Sequence, residues 1–413
     1  MDLENVSDNI FVGRQPIFNR KQQVVAYELL YRAGLENSAG SFDGDRATTD
    51  VIINSVLDIG LESLVGKRTA FFNLTGNFIR GDHPLPLDNR QVVLEVLEDI
   101  SLDQGVLDGL KSLVDKRYII ALDDFVFRPE TVPLLELAHI VKLEVMGQDH
   151  ATLSERVAQL KPYKVKLLAE KVETYEEFML CKKLGFDYFQ GYFLCKPHVV
   201  EGKSLPANRL VVLSLLGKLQ DPNADIAELE QLIIQDVSLT YRLLRYINSA
   251  YFGLSKEIES VHRALVLIGI KTIKNWVTLL LMSRIDDKPR ELMRTALVRA
   301  RMSELLAEEI GNKEKDQYFT CGLLSVIDAL MDRPMDELLA QLPLSTAVKE
   351  ALLEGKGELG KALESVLAYE KGAWQALAHT PLTPQQYRHS YLEAVMWADE
   401  SMNTLQSDST QER

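Results

Sequence analysis

In the first half of this chain, acidic and amide residues recur at the ends of short apolar runs. They are Glu28 in VVAYELL, Asn73 in TAFFNLT, Glu95 in VVLEVLE, Asp123 and Asp124 in IIALDDF, and Glu170 in VKLLAEK, with Lys142 and Glu144 in IVKLEV. Oxygen donors of this kind suit hard divalent cations. Two such ions a few Å apart can polarise a phosphodiester, lower the pKa of a bridging water and stabilise the entering and departing oxygens. Carboxylates gathered in one place repel one another unless cations, protons or basic side chains compensate. Lys142 could orient the water, neutralise phosphate charge or assist proton transfer, and residue type alone does not choose among these. Arg32 follows Glu28 closely enough to clamp a phosphate through paired N–H bonds.

Elements that would bring these residues together are visible in the hydrophobic pattern. Strands are expected at Val24–Leu30, Thr69–Leu74, Gln91–Leu97, Tyr118–Leu122, Ile140–Val145, Val165–Ala169 and Tyr188–Gln190. An earlier run, Ile10–Ile17, could pair with the first of them through the polar turn Asn19–Gln23. Helical stretches lie between, near Thr49–Val65, Gln104–Val114, Thr131–Ala138, Thr152–Leu160 and Tyr175–Leu184, the first capped by Thr49 or Asp50. Strands rich in Val, Ile and Leu without strict alternation are the mark of a parallel sheet covered by crossover helices. In a (β/α)₈ barrel the C-terminal strand ends converge on one face, where chemistry is placed. Polar residues at successive strand ends fit that face.

After about Leu205 the periodicity is almost entirely helical, beginning with segments such as Arg209–Leu219, Ile226–Gln235 and Ser238–Ser249. Later ones include Pro289–Ile310, Asp316–Leu330, Leu359–Tyr369 and Pro384–Ala398. Asp225-Ile-Ala-Glu228 has the form of a capping box. Trp276, Trp374 and Trp397 read as helix packing, and Ser401–Arg413 as a polar disordered tail. The expected division is a barrel over 1–203, a helical domain over 204–400 and the tail over 401–413.

The 413 residues are 46% apolar and 26% charged, as in a globular protein rather than a fibrous or disordered one. A net charge of −14 with no basic stripe argues against DNA, RNA or anionic membrane as partners. No apolar run is long enough to span a bilayer, and the acidic N-terminus lacks the form of a signal peptide. Three cysteines without a CxxC pair fit a reducing compartment as buried thiols, so the expected location is cytoplasmic.

Residues 10–197 resemble the EAL domain, the family that hydrolyses or senses the second messenger cyclic di-GMP. Its signature stands here as Glu28-Leu29-Leu30, followed by Arg32 and preceded by Gln15-Pro16-Ile17. Asn73, Glu95, Asp123-Asp124-Phe125, Lys142-Leu143-Glu144, Ala169-Glu170-Lys171-Val172-Glu173-Thr174, Gln190-Gly191-Tyr192 and Lys196-Pro197 follow in the family's order. The resemblance implies a modified (β/α)₈ barrel with an antiparallel first strand, and cleavage of cyclic di-GMP to the linear dinucleotide with two Mg²⁺ or Mn²⁺ ions. It assigns metal-ligand roles to Glu28, Asn73, Glu95, Asp123, Asp124 and Glu170. Lys142, Glu173 and Asp124 take catalytic roles, while Gln15, Arg32, Glu144 and Gln190 take the substrate side.

The chain departs from that family at informative places. The usual Gly-rich loop after Asp-Asp-Phe is replaced by Val126-Phe127-Arg128-Pro129-Glu130, and Pro129 stiffens it. Glu144 carries its charge about 1.5 Å, one C–C bond, farther than aspartate would. Lys171 stands at a glycine position.

Residues 206 to about 400 resemble the HDOD domain, an all-helical relative of the HD phosphohydrolases, through Gln235–Ala250, Ile258–Ile270 and Gly322–Asp328. No His-Asp pair is present, and the histidines after residue 200 are His262, His379 and His389. This half is expected to be a binding or regulatory module with a protein partner, and a homodimer is possible. Three functions stay open: a phosphodiesterase controlled by the helical half, a weak or inactive cyclic di-GMP effector, and a protein-interaction scaffold.

Overall fold

A computed structural model of the chain describes residues 10–33, 60–82, 85, 87–98, 100–196, 207–221, 223–248, 258–283, 285, 288–378 and 380–406. The expected cap at Thr49 or Asp50, most of the helix expected over 49–65, and the final residues 407–413 lie outside this set.

The described residues divide into two compact units. The first takes in the chain up to Lys196 together with Ala368–Arg388, and the second takes in Pro197–Leu367 and the chain from His389 onward. Strands β1 (Ile10–Asn19), β2 (Val24–Ala33), β3 (Thr69–Leu74), β4 (Val92–Val96), β5 (Ile119–Leu122), β6 (Ile140–Glu144), β7 (Lys166–Glu170) and β8 (Tyr188–Gln190) close into a barrel in chain order. β1 runs antiparallel to both β2 and β8, and every other neighbouring pair is parallel. This is the mixed barrel that the motifs imply.

Local chemistry explains the hairpin between β1 and β2. Asn19 Oδ1 accepts from the backbone N–H of Lys21 and of Gln23, at 2.8 and 3.1 Å, and Gln22 takes the left-handed φ of 59° that closes the turn. Helices Gln104–Asp115 and His150–Leu160 begin on Asp103 and Asp149, whose carboxylates accept from orphan N–H groups of the first turn. Helix Tyr175–Leu184 opens on a full capping box, Thr174 with Glu177, which orients the segment that follows β7.

The barrel is plugged by one apolar layer: Ile17, Ala26, Phe71, Val93, Ala121, Ile140 and Leu168, with Tyr188 packed against it. One residue from each strand fills this level, which makes the interior a packed core rather than a pore.

The second unit is helical throughout its described residues. The capping box expected at Asp225 and Glu228 starts helix Ile226–Ile234. Helices Arg290–Glu309 and Lys315–Leu324 press together at Gly322, where an added Cβ would lie 2.5 Å from the Arg299 carbonyl oxygen. The helix expected over 316–330 is broken at Ser325–Val326, where Ser325 Oγ donates to the Gly322 carbonyl. Helix Pro384–Gln406 continues past residue 401, where a tail was expected, because Ser401 is buried. Trp276 and Trp397 pack ring to ring as expected, whereas Trp374 belongs to the barrel unit and stacks on Phe11 of β1. Cys181 and Cys321 are buried thiols, with burial pushing both up to about 12, and Cys195 is only partly covered. Among the described residues, no helix is long and apolar enough to cross a membrane.

Candidate ligand and metal site

Side chains two residues apart on a strand share a face. Two places above the apolar plug, every strand therefore carries another inward position: Glu28 above Ala26, Asn73 above Phe71, Glu95 above Val93, Asp123 above Ala121, Lys142 above Ile140, Glu170 above Leu168 and Gln190 above Tyr188. On β1, which runs the other way, the equivalent is Gln15, two places before Ile17. All eight are polar, and together they form a ring at the C-terminal end of the parallel strands.

Lys142 occupies the centre of the ring. Its Nζ lies 2.8 Å from Glu95 Oε1, 2.8 Å from Asp123 Oδ1, 2.9 Å from Glu170 Oε1 and 3.3 Å from Glu28 Oε2. Lys142 and Glu95 are fully buried. Gln190 Nε2 donates to Glu28 Oε2 at 2.6 Å and to Gln15 Oε1 at 2.8 Å, tying β8, β2 and β1 together at this level.

Electrostatics follow from the crowding. Burial disfavours charge on Lys142, but Glu28, Glu95, Glu170 and Asp123 outweigh it and hold the ammonium protonated well above its ordinary range. Burial pushes the Glu95 carboxyl well above the usual carboxylate range, with Glu28 reinforcing the effect and Lys142 opposing it. Glu170 is pushed up to about 8, again by burial first. Near neutral pH, protons thus share with Lys142 the work of compensating the carboxylates.

The donor set fits a hard cation. Asn73 Oδ1 and Glu95 Oε2 are buried acceptors with no hydrogen-bond partner among the described residues, which a cation would satisfy. The oxygens are drawn around Lys142, and among the described residues no group of three or more His, Cys, Asp or Glu stands in metal-holding geometry.

Other expected site residues lie outside the cage. Glu144 Oε2 pairs with Lys171 Nζ at 2.5 Å. Glu173 Oε2 pairs with Lys196 Nζ at 2.6 Å, and that ammonium holds the Glu173 carboxyl below its usual range. Arg32 lies in β2 opposite Phe11. Asp124 adopts φ 40°, and burial raises its carboxyl, with Asp123 adding to the effect. Lys171 takes φ 52°, a left-handed conformation that glycine would adopt without cost.

The altered loop after Asp124 is laced into a closed turn. Thr131 Oγ1 donates toward the Val126 and Arg128 carbonyls and accepts from the Arg128 N–H. Arg156, which nothing in its sequence neighbourhood singles out, donates to the Phe125 carbonyl at 3.1 Å and the Glu144 carbonyl at 3.4 Å, so it joins the loops after β5 and β6. Beside Asp123 and Asp124 opens a pocket of about 410 Å³, walled by Val96, Leu97, Phe125, Val126 and Arg128.

In the helical unit, Asp328 is half-buried and its carboxyl raised by that burial, while Arg299 pulls the other way. Arg299 Nη1 donates to Ser325 Oγ at 3.3 Å. Among the described residues of this unit, no cation-binding His-Asp pair is present.

A mixed barrel with a reversed first strand and an acidic ring at its strand ends is a modified TIM barrel of the EAL type. Family comparison agrees: the EAL domain matches residues 77–197 and the HDOD domain residues 205–363. The chain is 36% identical over 408 residues to the uncharacterized protein YuxH of Bacillus subtilis, covering 95% of this chain and 99% of YuxH. It is 33% identical over 407 residues to the cyclic di-GMP phosphodiesterase CdgJ of Vibrio cholerae, covering 96% and 94%. Among solved structures, the manganese/cy-diGMP complex of Klebsiella pneumoniae BlrP1 is 23% identical with a TM-score of 0.37, covering 45% of this chain and 55% of that one. The chain belongs to the EAL–HDOD family of signalling proteins.

Proposed function

We propose that this chain binds cyclic di-GMP at the mouth of its barrel and acts mainly as an effector, with hydrolysis slow or absent. The observation that carries this reading is the position of Lys142 Nζ among four carboxylates at 2.8–3.3 Å. The protein's own ammonium, together with protons on buried carboxyls, meets part of the ring's demand for positive charge, so a divalent ion must compete with both to bind. Lys171 adds a second restraint by holding Glu144 in an ion pair.

Hydrolysis is the second reading. It is supported by the unpartnered acceptors Asn73 Oδ1 and Glu95 Oε2 and by the name of the Vibrio relative. Mg²⁺ or Mn²⁺, held by Glu28, Asn73, Glu95, Asp123, Asp124 and Glu170, would supply Lewis-acid polarisation of the phosphodiester and a water of lowered pKa. Gln190 holds the Glu28 carboxylate in place through its amide N–H. Lys142, kept cationic, is suited to neutralising phosphate charge and unsuited to accepting a proton. Gln15 and Arg32 would face the nucleotide side. The helical half, without a His-Asp pair, would engage a protein partner. Val126 and Phe127, exposed on the altered loop, are apolar side chains available to a second copy.

Incubation of the purified full chain with cyclic di-GMP, with and without Mn²⁺, separates these readings. Saturable binding without linear dinucleotide is the expected result. Metal-dependent product that disappears in Glu28→Ala would establish the hydrolase instead, and neither binding nor product would leave only a scaffold.

A further inference from the structure

The inward face of the β1–β2 ribbon continues beyond the polar ring. Opposite partners Gln15 and Glu28 are followed on that face by Gly13 with Leu30, then by Phe11, whose register partner in β2 is Arg32. This ledge adjoins the carboxylate cage, and on it Phe11 and Gly13 are buried and Leu30 half-buried. Part of the segment Ala368–Arg388, distant in sequence and returning to the barrel unit, lies on it.

The contacts are close and specific. Trp374 stacks on Phe11 with centroids 4.9 Å apart and planes 17° apart. It also crosses Gly13 so closely that an added Cβ would lie 3.2 Å from its ring. Tyr369 hydroxyl donates to the Val12 carbonyl at 3.0 Å. Gly372 sits over the Leu30 side chain. From the neighbouring strand end, Tyr192, two residues after Gln190 of β8, donates its hydroxyl to the Glu370 carbonyl at 2.9 Å. Phe11 and Tyr369 are fully buried and Trp374 is 4% exposed, so these aromatics face one another and offer no surface to a ligand.

We infer that residues 369–374 form a built-in cover over the ligand-facing ledge beside Glu28, and that cyclic di-GMP reaches this side of the ring only when the cover lifts. The inference rests on the nucleotide-binding reading above and adds its control. A ligand that binds only the uncovered form has its apparent affinity reduced by the fraction of molecules that are uncovered. Both ends of the returning segment run into the helical unit, which gives that unit a covalent handle on the cover.

The test is hydrogen–deuterium exchange across residues 368–378 of the full chain, with and without cyclic di-GMP, together with binding to the native chain, Tyr369→Phe and Trp374→Leu. Tyr369→Phe removes one hydrogen bond and leaves the ring, so it serves if Trp374→Leu fails to fold. Exchange should rise on nucleotide addition. Tyr369→Phe should bind about fivefold more tightly, the factor that corresponds to one hydrogen bond of about 1 kcal/mol. Nucleotide that binds while exchange in 368–378 falls or stays constant would overturn the cover and leave the binding reading standing. If no chain binds nucleotide although exchange shows the variants loosened, both the cover and the binding reading are refuted.

Discussion

Lys142 Nζ stands 2.8 Å from Glu95 Oε1, and neither side chain is reached by solvent. A buried cation shared by several acids is costly to remove, because the groups around it lose their compensation at once. Lys142→Ala should lower stability by about 3–5 kcal/mol at neutral pH. Millimolar Mn²⁺ should then raise its melting temperature more than that of the native chain, since the cation takes over the lysine's role. Equal shifts in both proteins would show that the ring does not take up the metal.

Glu170 gives a pH dependence with a definite sign. Its folded-state pKa, about 8, lies above the ordinary carboxylate value of 4.5. Its contribution is therefore fully favourable below about 4.5 and is lost as pH rises through 8. That contribution should decline between about pH 4.5 and 8 and change no further above that range. Glu170→Gln should flatten that decline and gain on the order of 1–3 kcal/mol at pH 9. Melting curves at several pH values check both statements, and parallel curves for the two proteins would count against the raised pKa.

Lys171 combines an unfavourable backbone with a surface ion pair. Replacing it with glycine removes a left-handed penalty of about 1 kcal/mol and a partly exposed pair worth up to about 1 kcal/mol. Lys171→Gly should thus leave stability within about 1 kcal/mol of the native chain while releasing Glu144. Urea denaturation measures the first effect. A change in Mn²⁺-dependent turnover or nucleotide affinity measures the second.

Gln190 donates from one amide nitrogen to both Gln15 and Glu28, so Gln190→Ala removes two contacts from the ring at once. The variant should lose about 1–3 kcal/mol of stability, because the buried Glu28 carboxyl group is left with one donor fewer. Nucleotide affinity should fall as well. Calorimetry beside a melting curve separates the two losses.

In the helical unit, Gly322→Ala tests the close approach between helices Arg290–Glu309 and Lys315–Leu324. The new methyl would press on backbone atoms of Arg299 and Ala300 at 2.5–2.7 Å, and backbone cannot rotate away. A loss of about 1–3 kcal/mol is expected, read from thermal unfolding.

Much of this protein is written locally. The strand Thr69–Leu74 and the Tyr188–Gln190 strand match their hydrophobic runs residue for residue, and the turn at Asn19–Gln23 follows from an asparagine able to cap its own backbone. Seven of the eight ring residues were also legible as polar residues at strand ends, and Gln15 through the resemblance to the EAL domain. Pattern thus pointed to the barrel and to the side chains at its mouth, while the reversed first strand was implied by the resemblance to the EAL domain, in agreement with the hairpin turn at Asn19–Gln23. Tertiary structure decided what no local pattern encodes. Lys142 could have met the water, the phosphate or the carboxylates, and only closure of the barrel put its ammonium at the centre of four acids. Arg156 reached two loop carbonyls, and Trp374, more than three hundred residues away from Phe11, came to rest on β1. Periodicity reports which face of an element is buried, whereas the partner that buries it depends on contacts between distant parts of the chain, and those exist only after folding.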